Sequence, residues 1–115
     1  MSLIRKPVFV AIAATLLAQP VLAQESPTLK KIKDSGTIAL GHRESSIPFS
    51  YYDDKQQVVG YSQELMLKVV DAVKAELKMP NLQVKLTPVT SQNRIPLVQN
   101  GTVDIECGST THNAE

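Results

Sequence analysis

Two arginines lead the residues able to do chemistry: Arg43, in Gly41-His42-Arg43-Glu44-Ser45-Ser46, and Arg94, in Thr90-Ser91-Gln92-Asn93-Arg94. A guanidinium is a rigid planar fork of donors that matches a carboxylate, and each such charged hydrogen bond is worth roughly 1.5–3 kcal/mol. Read alone, Arg43 also fits an exposed loop residue paired with Glu44. Arg94 stands at the expected start of a helix, where free N–H groups already carry partial positive charge. An arginine there makes more sense reaching an anion than decorating a solvated face. Gly108-Ser109-Thr110-Thr111 adds three hydroxyls, with a glycine that lets a ligand approach the backbone. By itself that run is a weak signal, since such a segment is more often simply a turn.

Other chemistries find no support. His42 and His112 lack companions at metal-ligand spacing, and Asp104 and Glu106 merely alternate along an expected strand, so no metal site is expected. No Ser-His-Asp or Cys-His set can be assigned, and no glycine-rich phosphate fingerprint is present, so neither a catalytic residue nor a cofactor is expected. Phe49, Tyr51, Tyr52 and Tyr61 could wall a pocket, although aromatics of this kind more often sit in a core. Cys107 is the single cysteine, which excludes an internal disulfide and a cysteine-based zinc cluster. It is either a buried thiol or a partner for a cysteine outside these 115 residues. Twelve Lys+Arg against eleven Asp+Glu give a net charge of +1, with no basic excess to neutralise a row of phosphates. Nucleic acid is not an expected partner.

The elements that must position these groups follow from periodicity. Ser26-Pro27 reads as a helix start with Ser26 as N-cap, and Gly36 closes that helix after residues 28–35. The apolar run 37–41 between glycines is a buried strand. Residues 42–48 form a polar loop, and 49–52 and 58–59 bracket Asp53-Asp54-Lys55 as a small hairpin. Ser62 caps a long helix over 63–78, with Leu65, Met66, Val69, Val70, Val73 and Leu77 on one face. Leu82, Val84 and Leu86 alternate as a half-covered strand, a short helix runs over 93–99, and residues 103–107 form a third strand. Strands alternating with helices predict an α/β fold, a parallel βαβαβ unit. Ligands of such open sheets collect beyond the carboxyl ends of the strands. The loops 42–46, 90–94 and 108–111 all lie at that end.

Residues 1–23 carry a basic head (Arg5, Lys6), an unbroken apolar run at 8–17 and a Val21-Leu22-Ala23 cleavage site, the pattern of a secretory signal peptide cut after Ala23. The run is too short for a bilayer core, which needs about 20 apolar residues. Cleavage removes two positive charges and shifts the balance from +1 to −1, which gives the exported domain no attraction to anionic lipid. The chain stops just past its third strand, and the expectation is that it is the front part of a longer protein.

Four stretches together carry a resemblance: Gly-His-Arg-Glu-Ser-Ser-Ile-Pro-Phe-Ser-Tyr-Tyr-Asp (41–53), Val-Gly-Tyr-Ser-Gln (59–63), Thr-Ser-Gln-Asn-Arg-Ile-Pro-Leu (90–97) and Asn-Gly-Thr-Val-Asp-Ile-Glu-Cys-Gly-Ser-Thr-Thr (100–111). They resemble the glutamate/aspartate-binding members of the extracellular solute-binding proteins, family 3, the periplasmic receptors of bacterial ABC amino-acid importers. The resemblance implies that residues 24–115 are the N-terminal part of the first lobe of a two-lobe fold. It implies a non-enzymatic function, the capture of L-glutamate or L-aspartate in the periplasm for permease subunits at the inner membrane. It also implies that Arg94 clamps the α-carboxylate with Ser109 and Thr111, while Arg43 and Ser91 face the side-chain carboxylate. The acidic residue that holds the ammonium, and a histidine on the far wall, would lie in family segments this chain does not contain. An enzyme on the same fold, such as a periplasmic dehydratase or a lytic transglycosylase, would need an acid/base residue in the cleft or a catalytic domain downstream. A signalling receptor would need a membrane segment after the second lobe, and a nonfunctional truncated product is a further alternative.

Overall fold

A computed structural model describes residues 26–113. The signal-peptide reading of residues 1–23, with its cut after Ala23, lies outside the described residues. In chain order the elements are α1 (Pro27–Ser35), β1 (Thr37–His42), β2 (Ser45–Ser46), β3 (Ser50–Tyr52), β4 (Val58–Val59), α2 (Tyr61–Leu77), β5 (Gln83–Pro88), α3 (Arg94–Gln99) and β6 (Ile105–Glu106).

The main sheet has the order β5-β1-β6, and both pairings are parallel. Thr37 pairs with Gln83 and His42 with Pro88, while Leu40 and Gly41 face Ile105 and Glu106. The expected strand–helix–strand–helix–strand unit is therefore present, with β1 central. The chain leaves β1 for one neighbour and later returns on its other side to form β6. That reversal of strand order is where an open sheet leaves a crevice at its carboxyl end. The helix α3 that leads into it is only six residues long.

One face of the sheet holds the core. Ile38 and Leu40 of β1 point to it, alternate residues of an extended strand sharing one side, and Ile32, Met66, Val70 and Leu82 close over them. Val73, Leu77, Met79, Ile105 and Cys107 pack around this cluster. Gly36 ends α1 in the left-handed region at φ 69°, and its N–H donates to the Ile32 carbonyl. Glycine reaches that conformation without the Cβ clash other residues meet.

Several local expectations are corrected. The Ser26 side chain makes no capping hydrogen bond, and Pro27 at the first turn marks the start of α1 instead. Ser62 lies inside α2 rather than at its cap, and the helix begins two residues earlier, after Gly60. Of the face predicted for α2, Met66 and Val70 are buried and Val73 and Leu77 partly so, whereas Leu65 and Val69 are exposed. The inward stripe is instead continued toward the N-terminus by the buried polar pair Ser62 and Gln63. Val84 and Leu86 stand in register with Ile38 and Leu40 but stay exposed, because β5 is the outer strand of the sheet among the described residues.

The polar segment 42–48, expected as loop, contributes β2 to a second small sheet of order β2-β3-β4, antiparallel throughout. This sheet carries the chain from β1 to α2 and holds the first site loop in shape. Asp53 forms its turn by accepting the N–H groups of Lys55 (2.8 Å) and Gln57 (2.9 Å) on one carboxylate oxygen, a local side-chain bond that specifies a turn.

Candidate functional site

Arg43 follows β1 directly. Its N–H donates to Ser50 Oγ (2.9 Å), and Ser50 Oγ in turn donates to the Arg43 carbonyl (3.2 Å). Ser50 is fully buried on β3, so the small sheet clamps the Arg43 backbone on both sides. The side chain then spans the carboxyl ends of all three parallel strands. Its Nη1 donates to Ser91 Oγ (3.0 Å) beyond β5 and to Ser109 Oγ (3.5 Å) beyond β6. Ser109 Oγ also reaches Ser46 Oγ of β2 at 3.4 Å. Arg43, Ser91 and Ser109, drawn from three separate stretches, thus form one cluster. The pairing of Arg43 with Glu44, open in the sequence, is not among the ion pairs of the described residues.

Ser109 and Thr111 line a cavity of about 330 Å³ with Phe49, Tyr61, Ser62 and Glu106. Phe49 and Tyr61 are 45% and 61% exposed, so these two aromatics wall the cavity instead of entering the core. Tyr52 behaves differently, packing edge-on against buried His42 with ring centroids 5.6 Å apart. His42 Nδ1 donates to the Arg43 carbonyl at 3.0 Å, which makes it a brace for the site loop. Ser62 supplies a second brace. Its hydroxyl donates to the Gly108 carbonyl at 2.7 Å and fixes the 108–111 loop to the first turn of α2.

Arg94 is placed apart from the Arg43 cluster. It lines an adjoining cavity of about 400 Å³ with Ile95, Val98, Ile105, Glu106 and Thr110, and the last two are shared with the first cavity. Two of the N–H groups expected to be free at the start of α3 are in use. Arg94 N–H donates to the Thr90 carbonyl and Leu97 N–H to that of Asn93. Thr90 N–H donates to Asn93 Oδ1 (2.7 Å) while Asn93 N–H donates to Thr90 Oγ1 (3.2 Å). That reciprocal pair braces the 90–94 loop, and the Arg94 side chain it carries has a buried Nε with no hydrogen-bond partner.

Sequence reasoning missed Glu106 as a site residue. One of its carboxylate oxygens accepts the Thr110 hydroxyl at 2.8 Å, and the other, Oε1, is buried without a partner. A Cβ on Gly108 would fall 2.6 Å from Arg43 Cγ and 2.9 Å from Glu106 Oε1. The glycine is what lets both side chains cross there. The available signal was a charged residue inside a buried strand, which must find a partner or a purpose.

The carboxyl end of the parallel sheet thus gathers a guanidinium, several hydroxyls and an open aromatic-walled cavity. The chain belongs to the bacterial extracellular solute-binding proteins, family 3, whose profile matches residues 38–115. It is 64% identical over 107 residues to the L-glutamate/L-aspartate-binding protein of Pseudomonas aeruginosa, covering 91% of this chain and 35% of that protein. It is 56% identical over 117 residues to the glutamate/aspartate import solute-binding protein of Escherichia coli, covering 97% of this chain and 39% of that protein. The chain therefore spans little more than a third of the curated relatives it matches. Among solved structures, the cysteine-binding protein of Campylobacter jejuni superposes with a TM-score of 0.62 at 29% identity, over 75% of this chain and 33% of that one. An ancestral cationic amino acid solute-binding protein does so with a TM-score of 0.64 at 27% identity, over 75% and 34%. The fold is a parallel βαβαβ portion of the two-lobe fold of amino-acid-binding proteins.

Proposed function

We propose that this chain supplies the first-lobe half of a site that captures L-glutamate or L-aspartate in the periplasm and presents it to the permease subunits of an ABC importer. In this reading residues 1–23 direct export and are removed after Ala23, and residues 24–115 form the binding segment. Arg43 and Ser91 receive the side-chain carboxylate, and Arg94 receives the α-carboxylate with Ser109 and Thr111. The observation that carries the proposal is the Arg43 guanidinium held between Ser91 and Ser109 at the carboxyl ends of the sheet. Two relatives whose names specify glutamate and aspartate support the choice of ligand.

The physics favours an acidic amino acid over a neutral one. A dicarboxylic ligand offers two separate anionic ends to two separate guanidinium groups. A neutral amino acid would leave Arg43 desolvated on closure without a counter-charge, at a cost of several kcal/mol. The test is a graft in which this chain replaces the segment it matches in the Pseudomonas aeruginosa relative, titrated calorimetrically. L-glutamate and L-aspartate are expected to bind at least about 100-fold more tightly than L-glutamine. Equal affinity for glutamine and glutamate overturns the proposal.

A further inference from the structure

A closed ring of hydrogen bonds runs beside the aromatic-walled cavity, through three stretches that are far apart in sequence. The first turn of a helix leaves backbone N–H groups without helical acceptors. In α2 the loop before it takes two of them, Tyr61 N–H donating to the Pro48 carbonyl at 3.0 Å and Ser62 N–H to the Phe49 carbonyl at 2.8 Å. Phe49 N–H donates in turn to the Ser46 carbonyl at 2.7 Å. From Ser46 the ring crosses to the far loop, where Ser109 Oγ donates to Ser46 Oγ at 3.4 Å. It closes through Gly108, the neighbour of Ser109, whose carbonyl accepts the Ser62 hydroxyl at 2.7 Å. Phe49, Tyr61, Ser62, Gly108 and Ser109 all line the cavity. Ser62 is 5% exposed, so water has little access to replace its hydroxyl at the Gly108 carbonyl. A helical serine can turn its hydroxyl back to its own helix, but this one reaches a residue 46 positions away.

Resting on the function proposed above, we propose that Ser62 is a positioning residue: it receives no part of the ligand, and its hydroxyl closes the ring that holds the 108–111 loop in shape before the ligand arrives. A closed ring constrains more than its links do separately. While every link is made, the 108–109 segment is held from both sides, by α2 through Ser62 and by β2 through Ser46. Cut either link and the loop hangs from the other alone. A loop that is ordered beforehand loses little freedom on binding, and that saving appears as affinity. Opening the ring therefore weakens capture although every side chain assigned to the ligand is still present.

Two measurements test this. The first is nitrogen-15 relaxation of the 115-residue chain without ligand. Ser62→Ala is expected to lower the order parameters of residues 109–111 from about 0.85 to below about 0.6, with β1 and β5 unchanged, and Ser62→Thr, which keeps the hydroxyl, to restore them. Ser46→Ala is expected to loosen the same residues, and it carries the test if Ser62→Ala does not fold. The second is a double-mutant cycle on L-glutamate affinity in the graft described above. Among the described residues no hydrogen bond joins Ser46 to Ser62 directly, so their coupling can only run around the ring. Each alanine variant is expected to lose about 5- to 10-fold, and the double variant no more than about 10-fold, because the second cut falls on a ring already open. Losses that multiply, or a 109–111 loop that stays ordered in the folded alanine variants, overturn the role of Ser62 while the function proposed above stands. A folded wild-type graft that binds neither glutamate nor aspartate overturns that function and the positioning role with it.

Discussion

Arg43 and Ser91, 48 residues apart in sequence, meet through a 3.0 Å hydrogen bond from the guanidinium to the hydroxyl. The contact joins the segment after β1 to the segment after β5, and it exists because those strands run parallel in register to their last pair, His42 with Pro88. Val89 N–H extends the ladder one step further by donating to the His42 carbonyl at 2.8 Å. The two loops leave the sheet side by side and deliver their polar residues to one place.

Arg43→Ala in the grafted protein is expected to weaken glutamate by about 2–4 kcal/mol while leaving folding intact, because the side chain binds only loop hydroxyls. Calorimetry paired with thermal unfolding checks it. An unchanged dissociation constant removes Arg43 from the side-chain carboxylate.

Gly108→Ala is expected to act on the same residue indirectly. Its new methyl would sit 2.6 Å from Arg43 Cγ, and a flexible stem yields before backbone does. The expected outcome is at least about a tenfold loss of glutamate affinity with less than about 1 kcal/mol of lost stability. A variant with wild-type affinity shows that Arg43 tolerates the displacement.

Asp104→Ala strikes the frame of the sheet. The carboxylate, 4% exposed, holds Lys31 and the Ala39 N–H, and Lys31 Nζ also donates to the Gly101 carbonyl. Removing it strands the Ala39 N–H, while the half-exposed Lys31 keeps water and the Gly101 carbonyl, and about 1–3 kcal/mol of stability is expected to go. Urea denaturation monitored by circular dichroism measures the loss. A midpoint unchanged within error refutes it.

Gly60→Ala should be among the most damaging single-methyl additions. Gly60 lies at φ 119°, and a Cβ there would sit 2.4 Å from the Phe49 carbonyl oxygen. That oxygen accepts the Ser62 N–H at 2.8 Å, and the Pro48 carbonyl accepts Tyr61 N–H at 3.0 Å. The start of α2 must shift, at an expected cost above about 2 kcal/mol. The same denaturation assay decides it, and a neutral result contradicts the backbone argument.

The 115-residue chain alone is expected to bind glutamate more weakly than micromolar. Micromolar affinity needs about −8 kcal/mol, and an open half-site supplies only part of the contacts while water competes for them. Micromolar binding by the isolated chain in a calorimeter would show that these residues suffice.

Much of this architecture is legible in the sequence. An apolar run between glycines marks β1, a period-2 pattern marks β5, a period-3.6 pattern marks α2 and part of its buried stripe, Gly36 marks the end of α1, and the alternation of strand and helix predicts parallel pairing. These signals are local: each depends on a residue and its neighbours a few positions away. Arg43, Ser91, Arg94, Ser109 and Thr111 are named as candidates from residue type, from the loops that carry them and from the family resemblance. What could not be read is anything settled by a contact across the chain. Ser62 has the composition of a helix cap, and the fold spends its hydroxyl on Gly108. Ser45 and Ser46 look like loop until Ser50 and Tyr51 arrive to pair with them.

Sequence alone determined that strands alternate with helices and that hydroxyls and guanidinium groups fall where the strands end, because dihedral preference and side-chain polarity belong to the residues themselves. Tertiary structure alone decided that Arg43 joins Ser91 and Ser109 while Arg94 lines the adjoining cavity with Glu106 and Thr110. Which loops meet depends on strand order and on the space left at Gly108, and those are properties of the packed chain.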